Sequence, residues 1–304
     1  MRPAMNKGPD RDLARKKCGK RNQHNQFFKL RTFSHELLPN PYKKNKNFDK
    51  LVQALGKLVV KIELTKKSRD RPREVYSNAR GSFNSSGQII FSKLMRSTRS
   101  RHCPCSDCKN TSKRRREKEY AIISIKTAAH AIFNEEEVKN ATCTLNFDVI
   151  GARDLKLKGY KLDEERTSME FDTSTFYCIT HDLELAKSLI GTIYQLKRSH
   201  EKVFKRYPKK QDKNFVIVVS HPHGCVKHVS FGRLKSKSSV KDLDGRRTLI
   251  RLSYDAITCP ASSGAPIYTI SQRKIWYLPS HSSYVTRAEG NISESNVVWE
   301  SMQD

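Results

Sequence analysis

Apolar residues recur at every second position over a series of short stretches, the spacing of half-buried strands. In the first half the pattern covers residues 57–65, 87–91, 120–126, 142–147 and 170–180. It breaks at 183–207, where Leu185, Leu189, Ile193, Leu196, Val203 and Phe204 follow helical spacing and Pro208 supplies a stop. Strand patterning resumes at 214–220, 227–231, 248–253, 266–270 and 274–278. A group of strands, a helical linker and a second group predict a mostly β protein of two small antiparallel barrels.

Composition changes the picture at the ends. Residues 1–50 carry fourteen Lys+Arg against four Asp+Glu and no sustained apolar period, which predicts a basic, disordered tail. The folded part is then expected over about 51–290, with a first barrel at about 51–180, the helical linker at about 183–207 and a second barrel at about 213–290. Residues 291–304 are expected to be a C-terminal tail. A formal charge of +28 favours contact with nucleic acid or another polyanion, most simply through the basic tail. Lys113-Arg-Arg-Arg116 reads as a solvated loop or as a nuclear-targeting or phosphate-contacting patch. No apolar run is long enough for a membrane span, and the N-terminus lacks the apolar stretch of a secretory signal. The eight cysteines lack the pacing of a secreted disulfide scaffold, so reduced thiols or a metal site in an intracellular setting, cytoplasmic or nuclear, are expected.

Three motifs carry candidate chemistry. A strand ends in Thr127-Ala-Ala-His130, where small residues let the strand end pack closely while it presents an imidazole, the natural general base near neutral pH. Cys259-Pro-Ala-Ser-Ser-Gly-Ala-Pro266 crowds small residues around Ser263, and such a turn can aim the N–H groups of Ala261 and Ser263 at a developing oxyanion. Thr180-His-Asp182 sets an acid at the start of an element, from which it could orient His130. Each motif alone is weak: a strand-end histidine is more often structural, and a Ser/Gly turn is more often plain surface. The chain order His130, Asp182, Ser263 is that of one known class of catalytic triad.

These residues resemble the motifs of the chymotrypsin/trypsin-like serine proteases. Thr-Ala-Ala-His130 is similar to the family's histidine motif, Ser262-Ser-Gly-Ala-Pro266 to its nucleophile motif, and Asp182-Leu-Glu-Leu-Ala186 to its aspartate motif. The stretch 218–232 resembles the second-barrel hairpin of the intracellular and heat-shock branches. The resemblance implies two six-stranded antiparallel barrels, an acyl-enzyme mechanism, a protein or peptide substrate and no cofactor. It implies that Ile257 sits where the specificity pocket of the trypsin-like members carries an acid, and that the strand at His281 lines the substrate cleft. Three departures stand out. Ala131 replaces a disulfide cysteine, Ser262 replaces the aspartate of the zymogen switch, and Ala261 replaces an oxyanion-hole glycine whose backbone freedom alanine lacks.

Cys103-Pro-Cys-Ser-Asp-Cys108 sets three soft ligands within six residues, and a closed zinc site needs a fourth, for which Cys143 or His102 is available. Unpaired thiols or a disulfide are the alternatives. His181 is expected to face solvent, and His221, Pro222 and His223 to form a turn. Two other readings remain beside an active endopeptidase: a pseudoprotease of the same fold that binds peptide or polyanion, and a zinc-stapled nucleic-acid binder.

Overall fold

Six strands of the first half close on themselves. They are β1 (Val59–Leu64), β2 (Phe83–Arg96), β3 (Glu119–Thr127), β4 (Ala141–Leu145), β5 (Leu155–Leu162) and β6 (Ser174–Thr180). Their order is β1-β2-β3-β6-β5-β4, with β4 pairing back onto β1, and every pairing is antiparallel. Period-two patterning drives the closure: Ile62, Ile89, Ile123, Ile125, Cys143, Phe176 and Cys178 all turn inward and are buried. The computed structural model describes residues 16–71, 83–98, 102–105, 108–109, 119–151, 154–241, 248–272, 275, 277–287 and 290–299. The basic run at 113–116 lies outside the described residues.

The helical linker is α3 (Leu183–Arg206), after α1 (Asn47–Leu58) and the short α2 (Glu135–Asn140). Helix α3 packs along α1 and across β2. The second sheet comprises β7 (Phe215–Ser220), β8 (His228–Lys241), β9 (Thr248–Tyr254), β10 (Ile267–Thr269), β11 (His281–Arg287) and β12 (Gly290–Ser295). Its order is β10-β7-β8-β9-β12-β11. Among the described residues this sheet is not laddered shut. A single bridge between Pro266 and Ser280 joins its two ends, flanked by bonds from Ile267 N–H to Pro279 O and from His281 N–H to Ala265 O.

The expectation of a disordered tail over 1–50 is corrected for its described part. Phe28 and Lys29 pair with Val229 and His228 on β8. Leu30, Phe33, Leu38 and Tyr42 join the main core, and the Tyr42 ring stacks on Phe215 with centroids 4.1 Å apart. These anchors sit on single turns of 3₁₀ helix, which lack the repeat that would reveal them in sequence. The C-terminal tail expected from 291 is corrected likewise, because β12 pairs with β9 and β11, and Val298–Trp299 pairs with β9. The strand expected at 274–278 is not formed by its described residues, and Ile275 and Tyr277 lie in irregular backbone.

Candidate active site

Strand β3 ends at Thr127, whose register partner Ser174 opens β6. The turn after β3 therefore delivers His130 beside the turn before β6, and Asp172 stands there. The Asp172 carboxylate lies 3.0 and 2.9 Å from His130 Nδ1, accepts the His130 backbone N–H at 3.0 Å, and accepts the Ser282 hydroxyl. A carboxylate only accepts, so Nδ1 carries the proton and Nε2 is left as the base. Burial works against the Asp172 charge, but the bonds and charge of His130 and the Ser282 hydroxyl outweigh it and hold the carboxyl below its ordinary range. Asp172 adopts φ 48°, the left-handed region that asparagine and aspartate tolerate best.

Asp182, expected as the orienting acid, is not at this site. It caps α3, accepting the Leu185 N–H at 2.8 Å, and is exposed. Aspartate is a favoured N-cap because its carboxylate satisfies an unpaired helix N–H. The signal that separates the two acids is the period that follows each. Asp172 precedes a strand, whereas Asp182 precedes a helix.

The His130 backbone has its own brace. The Arg71 guanidinium donates to the His130 carbonyl at 2.7 Å and grips Glu137 through two 2.6 Å contacts. Glu137 is fully buried and also accepts the N–H groups of Ser68 and Phe133. No motif in the sequence marks Arg71, Glu137 or Ser282.

Ser263 lies half-buried in irregular backbone between β9 and β10. Its carbonyl accepts the Ser86 N–H at 2.9 Å. The next residue, Gly264, donates to His281 O at 2.8 Å, and His281 N–H returns a bond to Ala265 O. His281 immediately precedes Ser282, which holds Asp172, so one strand end grips both the acid and the serine loop. Gly264 sits at φ 82°, and a Cβ there would collide with Thr127 Oγ1 and the Ser86 carbonyl. The serine loop thus rests on the strand end that presents His130. Among the described residues the Ser263 hydroxyl has no hydrogen-bond partner; hydroxyl–imidazole bonds of unliganded sites often tighten only with substrate.

The Pro260 carbonyl accepts His223 N–H at 2.7 Å, and the Ser262 carbonyl accepts Ala265 N–H at 2.9 Å. In a planar trans peptide the following N–H points the opposite way. The Ala261 and Ser263 N–H groups therefore face away from those partners, and among the described residues neither donates within the protein. Ala261 stands at φ 71°, with its carbonyl held by the Ser86 hydroxyl at 2.8 Å. A left-handed alanine costs about 1–2 kcal/mol, so the fold imposes here the conformation that the missing glycine would adopt freely. Ile257 is buried and lines a cavity of about 470 Å³ with Phe215, Phe231, Arg233 and Asp255. The His281 side chain is not a cleft surface: it is buried on the Tyr254 hydroxyl at 2.8 Å, and that burial, aided by Lys20, pushes its pKa down to about 3.

A closed barrel presents His130 and Asp172, and the loop of a second antiparallel sheet presents Ser263. This is the chymotrypsin-like serine protease fold. No family model matches the sequence, and no curated protein does. Solved structures similar to this chain include the Rv3671c protease from M. tuberculosis in its active form, at 12% identity over 82% of this chain and 79% of that one, TM-score 0.42. The HtrA-type protease AlgW with a tripeptide matches at 11% identity over 82% and 59%, TM-score 0.43. The protease Anisep from Arthrobacter nicotinovorans matches at 12% identity over 81% and 93%, TM-score 0.39.

Among the described residues two Cys/His groups lie apart from the side chains of His130, Asp172 and Ser263. Cys103, Cys105 and Cys108 converge on His181 Nε2, at 3.5, 3.5 and 3.4 Å. His181, expected to face solvent, is thus the fourth member, and its Nδ1 lies 3.0 Å from the Glu119 carbonyl, which fixes the tautomer that turns Nε2 to the sulfurs. Cys143, expected as the fourth ligand, is elsewhere: it is buried on β4 against Cys178, and His102 is exposed. The second group is Cys18, His24, His223 and Cys259.

Proposed function

We propose that the chain is a serine endopeptidase in which His130, Asp172 and Ser263 form the catalytic triad. Ser263 Oγ attacks the carbonyl carbon of a peptide bond as its proton passes to His130 Nε2. Asp172 holds the Nδ1–H and stabilises the imidazolium. The Ala261 and Ser263 N–H groups receive the oxyanion. His130 then protonates the leaving amine, the C–N bond breaks, and an acyl-enzyme ester remains; water activated by the same imidazole hydrolyses it. The substrate is a protein or peptide, with Ile257 favouring an apolar or non-basic residue at the cut.

The observation that carries this reading is the double grip on Asp172. His130 and Ser282 bind the same carboxylate, and His281, next to Ser282, hydrogen-bonds through its backbone to the residues that follow Ser263. The test is a fluorophosphonate label followed by intact-mass and peptide analysis. One adduct on Ser263, absent in Ser263→Ala, is expected; folded wild-type protein without an adduct contradicts the reading. The strained Ala261 favours one alternative, a pseudoprotease that binds peptide or polyanion, for which an unlabelled protein with salt-dependent nucleic-acid binding is the expected result.

We further infer a structural zinc held by Cys103, Cys105, Cys108 and His181. Three thiolates and one tautomer-fixed imidazole suit a closed tetrahedral site, and it lies apart from the triad. The basic N-terminal segment and eight cysteines free of disulfides fit a cytoplasmic or nuclear protein in contact with polyanions.

A further inference from the structure

The second Cys/His group joins parts of the chain that nothing in the sequence connects. Cys18 and His24 flank the start of a 3₁₀ turn in the N-terminal segment, His223 lies in the turn after β7, and Cys259 precedes Ser263 by four residues. Their ligand atoms all lie within 4.8 Å of one another. Cys18 Sγ is 3.7 Å from Cys259 Sγ, which is 3.4 Å from His24 Nε2. With metal–sulfur bonds of about 2.3 Å and metal–nitrogen bonds of about 2.0–2.1 Å, a tetrahedron has sulfur–sulfur edges of about 3.8 Å and sulfur–nitrogen edges of about 3.6 Å. The observed spacings match those edges, and the sulfur pair is far beyond the roughly 2.05 Å of a disulfide. The Lys20 N–H points at Cys18 Sγ from 3.4 Å, an outer-shell bond of the kind that steadies a thiolate. Two thiolates and two neutral imidazoles also balance a divalent cation, which suits a site whose His223 and Cys259 are buried.

We propose that Cys18, His24, His223 and Cys259 form a second closed zinc site, one that staples the N-terminal segment to the serine loop and positions the oxyanion donor Ala261. The positioning role rests on the protease reading; the metal site does not. Its physical basis is the path from ligand to donor. Cys259 and His223 grip opposite sides of the Pro260–Ala261 peptide, the first through the chain and the second through its N–H on the Pro260 carbonyl. That peptide carries the strained φ of Ala261, so a rigid anchor on both sides opposes its relaxation. The Lys20 ammonium, on the Thr258 carbonyl at 3.0 Å, ties the same segment to the same loop. Four protein ligands leave no open position, so the metal is structural and stays out of the chemistry.

The experiment measures zinc per chain in the full-length protein, together with the rate of fluorophosphonate labelling. Wild type is expected to hold two zinc ions, Cys18→Ala and His24→Ala one, Cys103→Ala one, and the Cys18→Ala/Cys103→Ala double variant none. Cobalt replacement should give tetrahedral absorption with thiolate charge transfer in Cys103→Ala, which retains only this site. Labelling of Ser263 is expected to slow by about ten- to a hundredfold in Cys18→Ala and His24→Ala, less than the loss of a whole oxyanion donor. In the native wild type, Cys18 and Cys259 should resist alkylation until a chelator is added, a readout that needs no variant to fold. Unchanged zinc in both Cys18→Ala and His24→Ala, a Cys18–Cys259 disulfide in peptide maps, or immediate alkylation of both thiols overturns the site. Zinc loss with unchanged labelling overturns the positioning role alone. Zinc loss in a chain that never labels leaves the metal site standing and removes the protease reading.

Discussion

The two halves of the candidate active site are held in different ways. His130 and Asp172 hang from adjacent ends of β3 and β6 in a closed barrel, and a buried Arg71–Glu137 pair grips the His130 carbonyl. Ser263 hangs from irregular backbone with a left-handed alanine two residues before it, next to a sheet whose two ends meet at the Pro266–Ser280 bridge and the hydrogen bonds beside it. Regular ladders fix His130 and Asp172. Ser263 depends on particular contacts: Gly264 on His281, Ser86 on Ala261 and Ser263, His223 on Pro260, and the Cys/His group behind them. Errors in the first half should therefore remove activity or fold outright, whereas errors in the second should grade activity.

The largest effect expected is at the acid. Asp172→Asn should lower turnover by about 10⁴-fold while leaving the fold intact, since the amide favours the wrong imidazole tautomer. Next comes the brace: Glu137→Ala removes the buried carboxylate that Arg71 grips and should cost about 3–5 kcal/mol, measured by urea unfolding. The third prediction concerns acid. His200, His221 and His281 are buried neutral, with His200 near 4, His221 well below its ordinary value and His281 near 3. Between those values and about 6.5 the unfolded chain binds more protons than the fold, so stability falls as pH drops through that window. Melting should move down steadily from pH 7 to pH 5, and a flat profile would contradict the burial. The smallest effect is at the strained turn. Ala261→Gly should release about 1–2 kcal/mol of strain yet restore freedom to the loop, so stability is expected to rise slightly or stay level, with activity unchanged or modestly higher.

Periodicity carried most of the fold. The linker helix, the strand that ends before His130 and the strands at 215–220 and 248–254 all follow their apolar spacing. What escaped has physical causes. Helix α1 adjoins β1 directly, so two periods merge near Leu58, and the Leu155-Lys-Leu-Lys alternation that opens β5 is broken at Gly159, where the register shifts. The N-terminal anchors Leu30, Phe33 and Tyr42 are single contacts on short turns. In the site, His130 and Ser263 are marked by their small neighbours, whereas Asp172 lies within the stretch read as one strand and carries no motif. The two Cys/His groups make the same point. Three ligands of one are close in sequence and visible, but the fourth, His181, is supplied by the barrel. The other group draws on three separate regions and becomes visible only when the chain is folded.

The identity of the acid is tested most directly by timing fluorophosphonate labelling of Ser263 in Asp172→Asn and Asp182→Asn side by side. Labelling at least a thousandfold slower in Asp172→Asn, with Asp182→Asn close to wild type in both labelling and stability because asparagine caps a helix about as well as aspartate, is the result expected here. Normal labelling of Asp172→Asn, or its loss in a folded Asp182→Asn, would contradict the assignment.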